Sequence, residues 1–293
     1  MAGANGDGWY KTLEDNFDGD SLNTNVWAYS PHAKRWETGK KGKDNQTSYW
    51  CPNMVKVNNG NLEILAEERA DHVCDVCPSV GRFSGGIETR RVIGNDQSNS
   101  DGKSDDLLFS QAFGYFETRV KFPNAKGMWS AFWLQSSNMR KLGNGGVDGT
   151  EIDIYESAFG TTPTKMGHAL LWDGYRQGAK VDDYIVDTGK NLYDGYHTFA
   201  LKWTPTAYIF YVDGVATWSS SGGGVSKVKE FLRLTVEIDE GDGHGPHYRK
   251  IGQFGKDTSA TFFVDYVKVY QNKHFLKYVI EDEKFAGELD KFV

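Results

Sequence analysis

The sequence predicts an all-β chain folded as two packed antiparallel sheets, and three observations carry that prediction. Short runs of alternating, β-favouring residues recur along the chain, about a dozen or more of them. Asn-Gly and Asp-Gly turn pairs separate some of these runs, while long helical patterns are nearly absent. No proline-rich linker or shift in composition divides the series. The 293 residues are therefore read as one domain over 1–271 followed by a distinct tail at 272–293.

Taken in order, residues 55–66 read as two strands around Asn59-Gly60, and 86–92 as another strand. Residues 115–122 alternate cleanly and stop at Pro123. Further strands are predicted over 128–134, 167–172 and 197–203. Residues 208–218 form a hairpin around Asp213-Gly214, and 232–238 and 261–270 complete the set. Residues 95–106 are too polar for a core, and 241–255, rich in Gly and His, read as a loop bordering a groove. In the tail, Phe275, Leu276, Val279, Ile280, Leu289 and Phe292 are spaced loosely like one face of a helix.

Composition excludes some functions. A net charge of −7 argues against a nucleic-acid surface, which needs basic residues to neutralise phosphate. No apolar run approaches the length of a membrane span. Residues 1–6 lack the charged and apolar regions of a signal peptide, which leaves a cytoplasmic or a processed chain open. Nine Trp and fifteen Tyr suit either a β-sandwich core or flat surfaces that stack on sugar rings. The three cysteines, Cys51, Cys74 and Cys77, include one Cys-x-x-Cys without a second Cys or His pair, short of the four ligands of a structural zinc. They read as loop cysteines, with a disulfide from Cys51 to Cys74 or Cys77 left open.

The chemistry is concentrated in Glu151-Ile152-Asp153-Ile154-Tyr155-Glu156. In a regular strand Glu151 and Asp153 share a face and Glu156 points away. One extra residue, a β-bulge at Ile154–Tyr155, would return Glu156 to the acidic face. Three acids on one face repel each other and contribute nothing as structure, so they read as a site. Glycoside hydrolysis is the reaction that most naturally needs two close carboxylates, and a separation of roughly 5–6 Å corresponds to retention of configuration.

This stretch resembles the bulged Glu-x-Asp-x-x-Glu signature of glycoside hydrolase family 16. The resemblance extends in order through Phe17-Asp18-Gly19, Asn59-Gly60-Asn61-Leu62, Phe83-Ser84-Gly85-Gly86-Ile87 and Gly114-Tyr115-Phe116-Glu117. It continues through Gly127-Met128-Trp129-Ser130-Ala131-Phe132-Trp133-Leu134, Trp203-Thr204-Pro205 and Val264-Asp265-Tyr266-Val267. It implies a β-jelly-roll sandwich, concanavalin A-like, whose concave sheet forms the substrate cleft. It implies Glu151 as nucleophile, Glu156 as general acid/base and Asp153 assisting between them. The expected activity is retaining endo-hydrolysis of β-1,3- or mixed β-1,3-1,4-glucans. Galactan hydrolysis of the agarase, porphyranase or carrageenase type is the alternative, and a lectin-like binding module the second. A polysaccharide partner, a monomer and a secreted or cell-surface location are expected on the same ground.

Trp129 and Trp133, four apart with small Ala131 between them, share a strand face and would line the cleft. Trp172, Trp50, Arg35, Trp36 and Arg90 are further candidates for contacts with sugars. His168 is a candidate cleft residue, although it lies an odd three positions before Leu171, where relatives carry a His ahead of Trp-Asp-Gly-Tyr. Glu237 either binds sugar hydroxyls or forms a buried ion pair. No cofactor is expected for catalysis. The resemblance implies a structural calcium held by Glu14, Gly60 and Asp265, which offer the oxygen donors calcium prefers.

Overall fold

The computed structural model describes residues 7–31, 33–38, 46–92, 106–140, 143–156, 162–175, 178–238, 254 and 259–280, without the side chains of 33–38, 46–47, 137 and 140. The first strands are β1 (Trp9–Asp15), β2 (Ala28–Tyr29), β3 (Ala33–Thr38), β4 (Gln46–Trp50) and β5 (Val55–Asn58). They are followed by β6 (Asn61–Arg69), β7 (Gly81–Ser84), β8 (Gly86–Glu88), β9 (Arg90–Arg91) and β10 (Asp106–Leu107). Next come β11 (Gly114–Lys121), β12 (Met128–Gln135), β13 (Glu151–Glu156), β14 (Lys165–Trp172) and β15 (Lys180–Asp187). The series closes with β16 (His197–Trp203), β17 (Tyr208–Val212), β18 (Val215–Ser220), β19 (Phe231–Ile238) and β20 (Ser259–Asn272).

These strands make two large sheets and one small ribbon. The larger sheet runs β18-β17-β16-β11-β20-β6-β7-β4-β3, with β1 also on β20 and β5 also on β6. The smaller runs β15-β14-β13-β12-β19-β8-β2. All described pairings are antiparallel except β4 with β7. The predicted all-β sandwich is the observed fold, and its driving force is the apolar layer between the sheets. Phe116, Phe199 and Val267 from one sheet meet Phe132, Ile152 and Leu234 from the other in a single buried cluster. Burial of this kind is worth about 25 cal/mol per Å² of apolar surface removed from water.

The predicted turns form where two successive residues tolerate positive φ. Asn59 and Gly60 take φ of 50° and 72°, and Asp213 and Gly214 take 49° and 77°. These values suit the type I′ hairpins that match the twist of the flanking strands. Strand β15 had no counterpart in the alternation pattern, because it lies at a sheet edge with nearly all its side chains exposed. The start of the tail holds a 3₁₀ turn, Leu276–Tyr278, and Phe275 packs edge-on against Trp9 with ring centroids 5.8 Å apart. Residues 281–293, on which the rest of the helical expectation falls, lie outside the described residues, as do the loops 95–105 and 241–253. No helix among the described residues is long and apolar enough to cross a membrane.

Candidate active site

Strand β13 lies inside the smaller sheet, between β12 and β14, and its register contains the bulge. On β12, Trp133 pairs with Asp153, Phe132 with Tyr155 and Ala131 with Glu156, so Ile154 is passed over. On β14, Ala169 pairs with Asp153 and Gly167 with Glu156, two steps against three. Ile154 and Tyr155 are consequently both turned inward and fully buried. The Tyr155 ring lies between Phe199, at 4.6 Å, and Phe122, at 5.3 Å. Packing of two successive apolar side chains into the core is what returns Glu156 to the face of Glu151 and Asp153. Small residues stand opposite Glu156, Ala131 on one side and Gly167 on the other, and leave its carboxylate room.

The resulting cleft encloses about 410 Å³, within the usual range of a ligand site. Glu151, Asp153 and Glu156 line it from β13, and Trp129, Ala131, Trp133 and Gln135 from β12. Arg233, Thr235 and Glu237 line it from β19, with Trp129 opposite Glu237 and Trp133 opposite Arg233. Leu171 and Tyr175 close one side. Glu237 therefore faces the cleft with the catalytic candidates. Gln135, Tyr175, Arg233 and Thr235 were not anticipated. The alternation that picked out Trp129 and Trp133 extends two residues to Gln135, and that of Glu237 extends back to Thr235 and Arg233.

Among the described lining residues four carboxylates face one guanidinium, and hydrogen bonds hold the pieces in place. Tyr175 donates its hydroxyl to Glu151, and the Gln135 amide donates to the same carboxylate at 3.3 Å and to the Tyr175 oxygen. Tyr175 is half-exposed as a residue, while the surrounding protein removes water from its hydroxyl. That removal, followed by the charge of Glu151, raises its pKa and keeps the phenol a proton donor. Arg233 is fixed by Glu88, at 2.8 Å, and donates to the Gln135 oxygen at 3.1 Å. Its guanidinium lies 4.1 Å over the Trp133 ring, a cation–π contact that orients the indole. The Trp133 N–H donates to Thr235 at 3.0 Å.

Four expected cleft residues are placed elsewhere. His168 is turned to the core, because the pairing of Gly167 and Ala169 with Glu156 and Asp153 sends the even positions of β14 inward. Trp172 follows the same parity and packs against the core, beside Gly223. Arg90 is buried, bonded to Glu88 at 3.0 and 3.1 Å and lying 4.4 Å over Phe231. Glu88 thus holds Arg90 and Arg233 together. Trp50 is also buried, and donates its indole N–H to the Val236 carbonyl at 3.0 Å. The side chains of Arg35 and Trp36 lie outside the described residues.

Of the donors implied for calcium, the carboxylates of Glu14 and Asp265 are both engaged by cationic side chains. Glu14 is paired with Lys11 and, at 3.4 Å, with Lys268, while Asp265 is paired with Arg119 at 2.5 Å.

His168 instead supports the bulge. Its Nδ1 lies 2.7 Å from the carbonyl of Ile154, the residue passed over by β12, and its Nε2 lies 2.9 Å from Thr217 Oγ1. Burial lowers its pKa to about 4 from the ordinary 6.5, so the ring is neutral at pH 7. Between these values the unfolded chain binds a proton that the folded chain refuses. Stability present above pH 6.5 is therefore lost as pH falls, until the loss levels off near pH 4. At about 1.4 kcal/mol per pH unit, the window is worth on the order of 3 kcal/mol. His168→Gln retains a donor for Ile154 but does not titrate. Urea unfolding at pH 7 and pH 4.5 is expected to show the wild-type protein losing roughly 2 kcal/mol more than this variant. Equal losses would show that His168 is not the group responsible.

Comparison with known proteins adds kinship to this geometry. The family model described as glycosyl hydrolases family 16 matches residues 42–223. Glucan endo-1,3-beta-glucosidase A1 of Niallia circulans is 23% identical over 89% of this chain and 37% of its own length. Endo-1,3-1,4-beta-glycanase ExsH of Rhizobium meliloti is 28% identical over 70% of this chain and 41% of its own. The chain thus spans less than half the length of these two relatives. Among solved structures, the catalytic domain of an endo-1,3-beta-glucanase (laminarinase) from Thermotoga petrophila superimposes with a TM-score of 0.65. It is 21% identical, with 91% of this chain and 99% of that one covered, and it establishes likeness of fold.

Proposed function

The chain belongs to glycosyl hydrolase family 16, and from that premise we propose that it is a retaining endo-β-glucanase acting on β-1,3- or mixed β-1,3-1,4-glucans. The observation that carries this reading is the bulge, which sets Glu151 and Glu156 on one face of β13 inside a Trp-lined cleft. Glu151 attacks the anomeric carbon while Glu156 protonates the departing glycosidic oxygen. A covalent glycosyl–enzyme results. Glu156, now ionised, takes a proton from water, and that water displaces Glu151 with a second inversion. Tyr175 and Gln135 aim the Glu151 carboxylate through their hydrogen bonds. Asp153 stands between the two glutamates on the same face of β13 and lines the cleft with them.

Trp129 and Trp133 offer flat apolar surfaces on which pyranose rings stack, while Glu237 and Thr235 accept or donate to hydroxyls. Arg233 is the sole cation among the described lining residues, and Glu88 already partners it. A sulfated polymer would call for more unpaired cations, so the described part of the lining suits a neutral glucan. The names of the relatives, endo-1,3- and endo-1,3-1,4-acting enzymes, agree with it.

Reducing-end release from laminarin, barley β-glucan, lichenan, agarose and carrageenan tests the assignment. Release is expected from one or more of the first three and from neither galactan, with the β-anomer formed first by NMR. Cleavage confined to the galactans, or binding to glucan without release, would overturn it.

A further inference from the structure

The three cysteines do not behave as independent loop residues. Cys51 follows β4, His72 and Cys74 follow β6, and Cys77 precedes β7, and the fold brings all four side chains to one point. Their donor atoms lie within 4.8 Å of one another. The histidine absent from the Cys-x-x-Cys reading comes from His72-Val73-Cys74, two positions ahead of the pair.

We propose that Cys51, His72, Cys74 and Cys77 form a structural zinc site that clamps β4, β6 and β7 together beside the cleft. The donor set, three thiolates and one imidazole, is one that zinc takes with tetrahedral geometry. With bonds of about 2.3 Å to sulfur and 2.0 Å to nitrogen, a tetrahedral edge from S to N is about 3.5 Å. The separation of Cys51 Sγ from His72 Nε2 is 3.4 Å. Cys51 and Cys74 stand closer, at 2.7 Å, and a bound ion would part them by about 1 Å.

The surroundings of His72 resemble those of a metal ligand. Its ring stacks on Phe83 at 3.8 Å and 12°, which sets its plane. Its second nitrogen, Nδ1, faces the carboxylate of Glu67 at 3.4 Å. A carboxylate behind the imidazole fixes the tautomer that leaves Nε2 free to coordinate. The His72 amide donates to the Ser79 carbonyl at 2.8 Å, which closes the loop that carries Cys74 and Cys77. The Asn53 side chain donates to the Val73 carbonyl at 3.0 Å and ties this loop to the segment after Cys51. A disulfide would account for two of the cysteines. It would leave the third thiol and the Glu67–His72 pair without a role.

The position gives the ion its structural consequence. Cys51 N–H donates to the Ser84 carbonyl at 2.8 Å, just beyond the parallel pairing of β4 with β7. Trp50 and Ser84 both donate side-chain hydrogen bonds to the Val236 carbonyl on β19. The clamp therefore braces the strand that presents Arg233, Thr235 and Glu237 to the cleft.

The test uses the full chain purified without chelator. Elemental analysis is expected to find about one zinc per chain, and intact mass under denaturing, non-reducing conditions is expected to show three reduced cysteines. Substitution by cobalt should produce thiolate charge-transfer absorption and the intense visible bands of a tetrahedral site. Glu67→Gln, which removes no ligand, should weaken zinc binding by roughly 10- to 100-fold in competition with a chromophoric chelator. Cys74→Ser should release the metal, and the measurements on the wild-type chain decide the matter even if this variant does not fold. A mass lighter by two hydrogens, or reduced thiols with no zinc above background, would overturn the proposal.

Discussion

Glu151→Ala is expected to lower glucan hydrolysis by roughly four to six powers of ten, with folding unchanged by near-ultraviolet circular dichroism. Glu151 is partly exposed at the cleft and contributes nothing to the apolar cluster, so its loss removes a nucleophile rather than a support. Azide can enter the space left by the carboxylate. With an aryl β-glycoside of good leaving ability it should attack the anomeric carbon directly. That single inversion yields the α-glycosyl azide, identified by NMR. Formation of the β-azide, or of no azide at all with a well-folded variant, would remove Glu151 from the nucleophile's role.

Glu156→Ala should give the complementary result. Removing the proton donor is expected to cost roughly 10²- to 10⁴-fold on polysaccharide, because a sugar alkoxide is a poor leaving group. An aryl glycoside whose phenolate leaves unaided should still form the glycosyl–enzyme on Glu151. Azide then attacks that intermediate, and two inversions deliver the β-glycosyl azide. The two variants thus differ in product stereochemistry, which a merely structural role for either glutamate could not produce. If the two outcomes were exchanged, the assigned roles would be exchanged with them.

The portions of the molecule legible in the sequence are those in which neighbours along the chain settle the outcome. Positive φ at Asn59-Gly60 and Asp213-Gly214 is a local preference, so those hairpins could be read directly. Strand period is likewise local, and Trp129, Ala131 and Trp133 fall on one face as two-residue spacing requires. The acidic stretch goes one step further. Its spacing called for an extra residue, and the register of β12 and β14 contains one at Ile154.

The remaining features depend on which strand pairs with which, and in what register. Nothing local distinguishes a β14 that faces the cleft with His168 from one that faces it with Leu171. The partners opposite Asp153 and Glu156 make that choice, and it sends His168 and Trp172 inward. Arg90 reads as a free cation until Glu88 and Phe231 are placed against it. Cys51 and His72 are separated by the whole of β5 and β6, so the fourth donor beside the cysteines emerges only when those strands fold back. Local spacing put Glu151 and Asp153 on one face of a strand; long-range pairing returned Glu156 to that face and assigned the groups around them, because the energy that selects a register is spread over the whole sheet and the core beneath it.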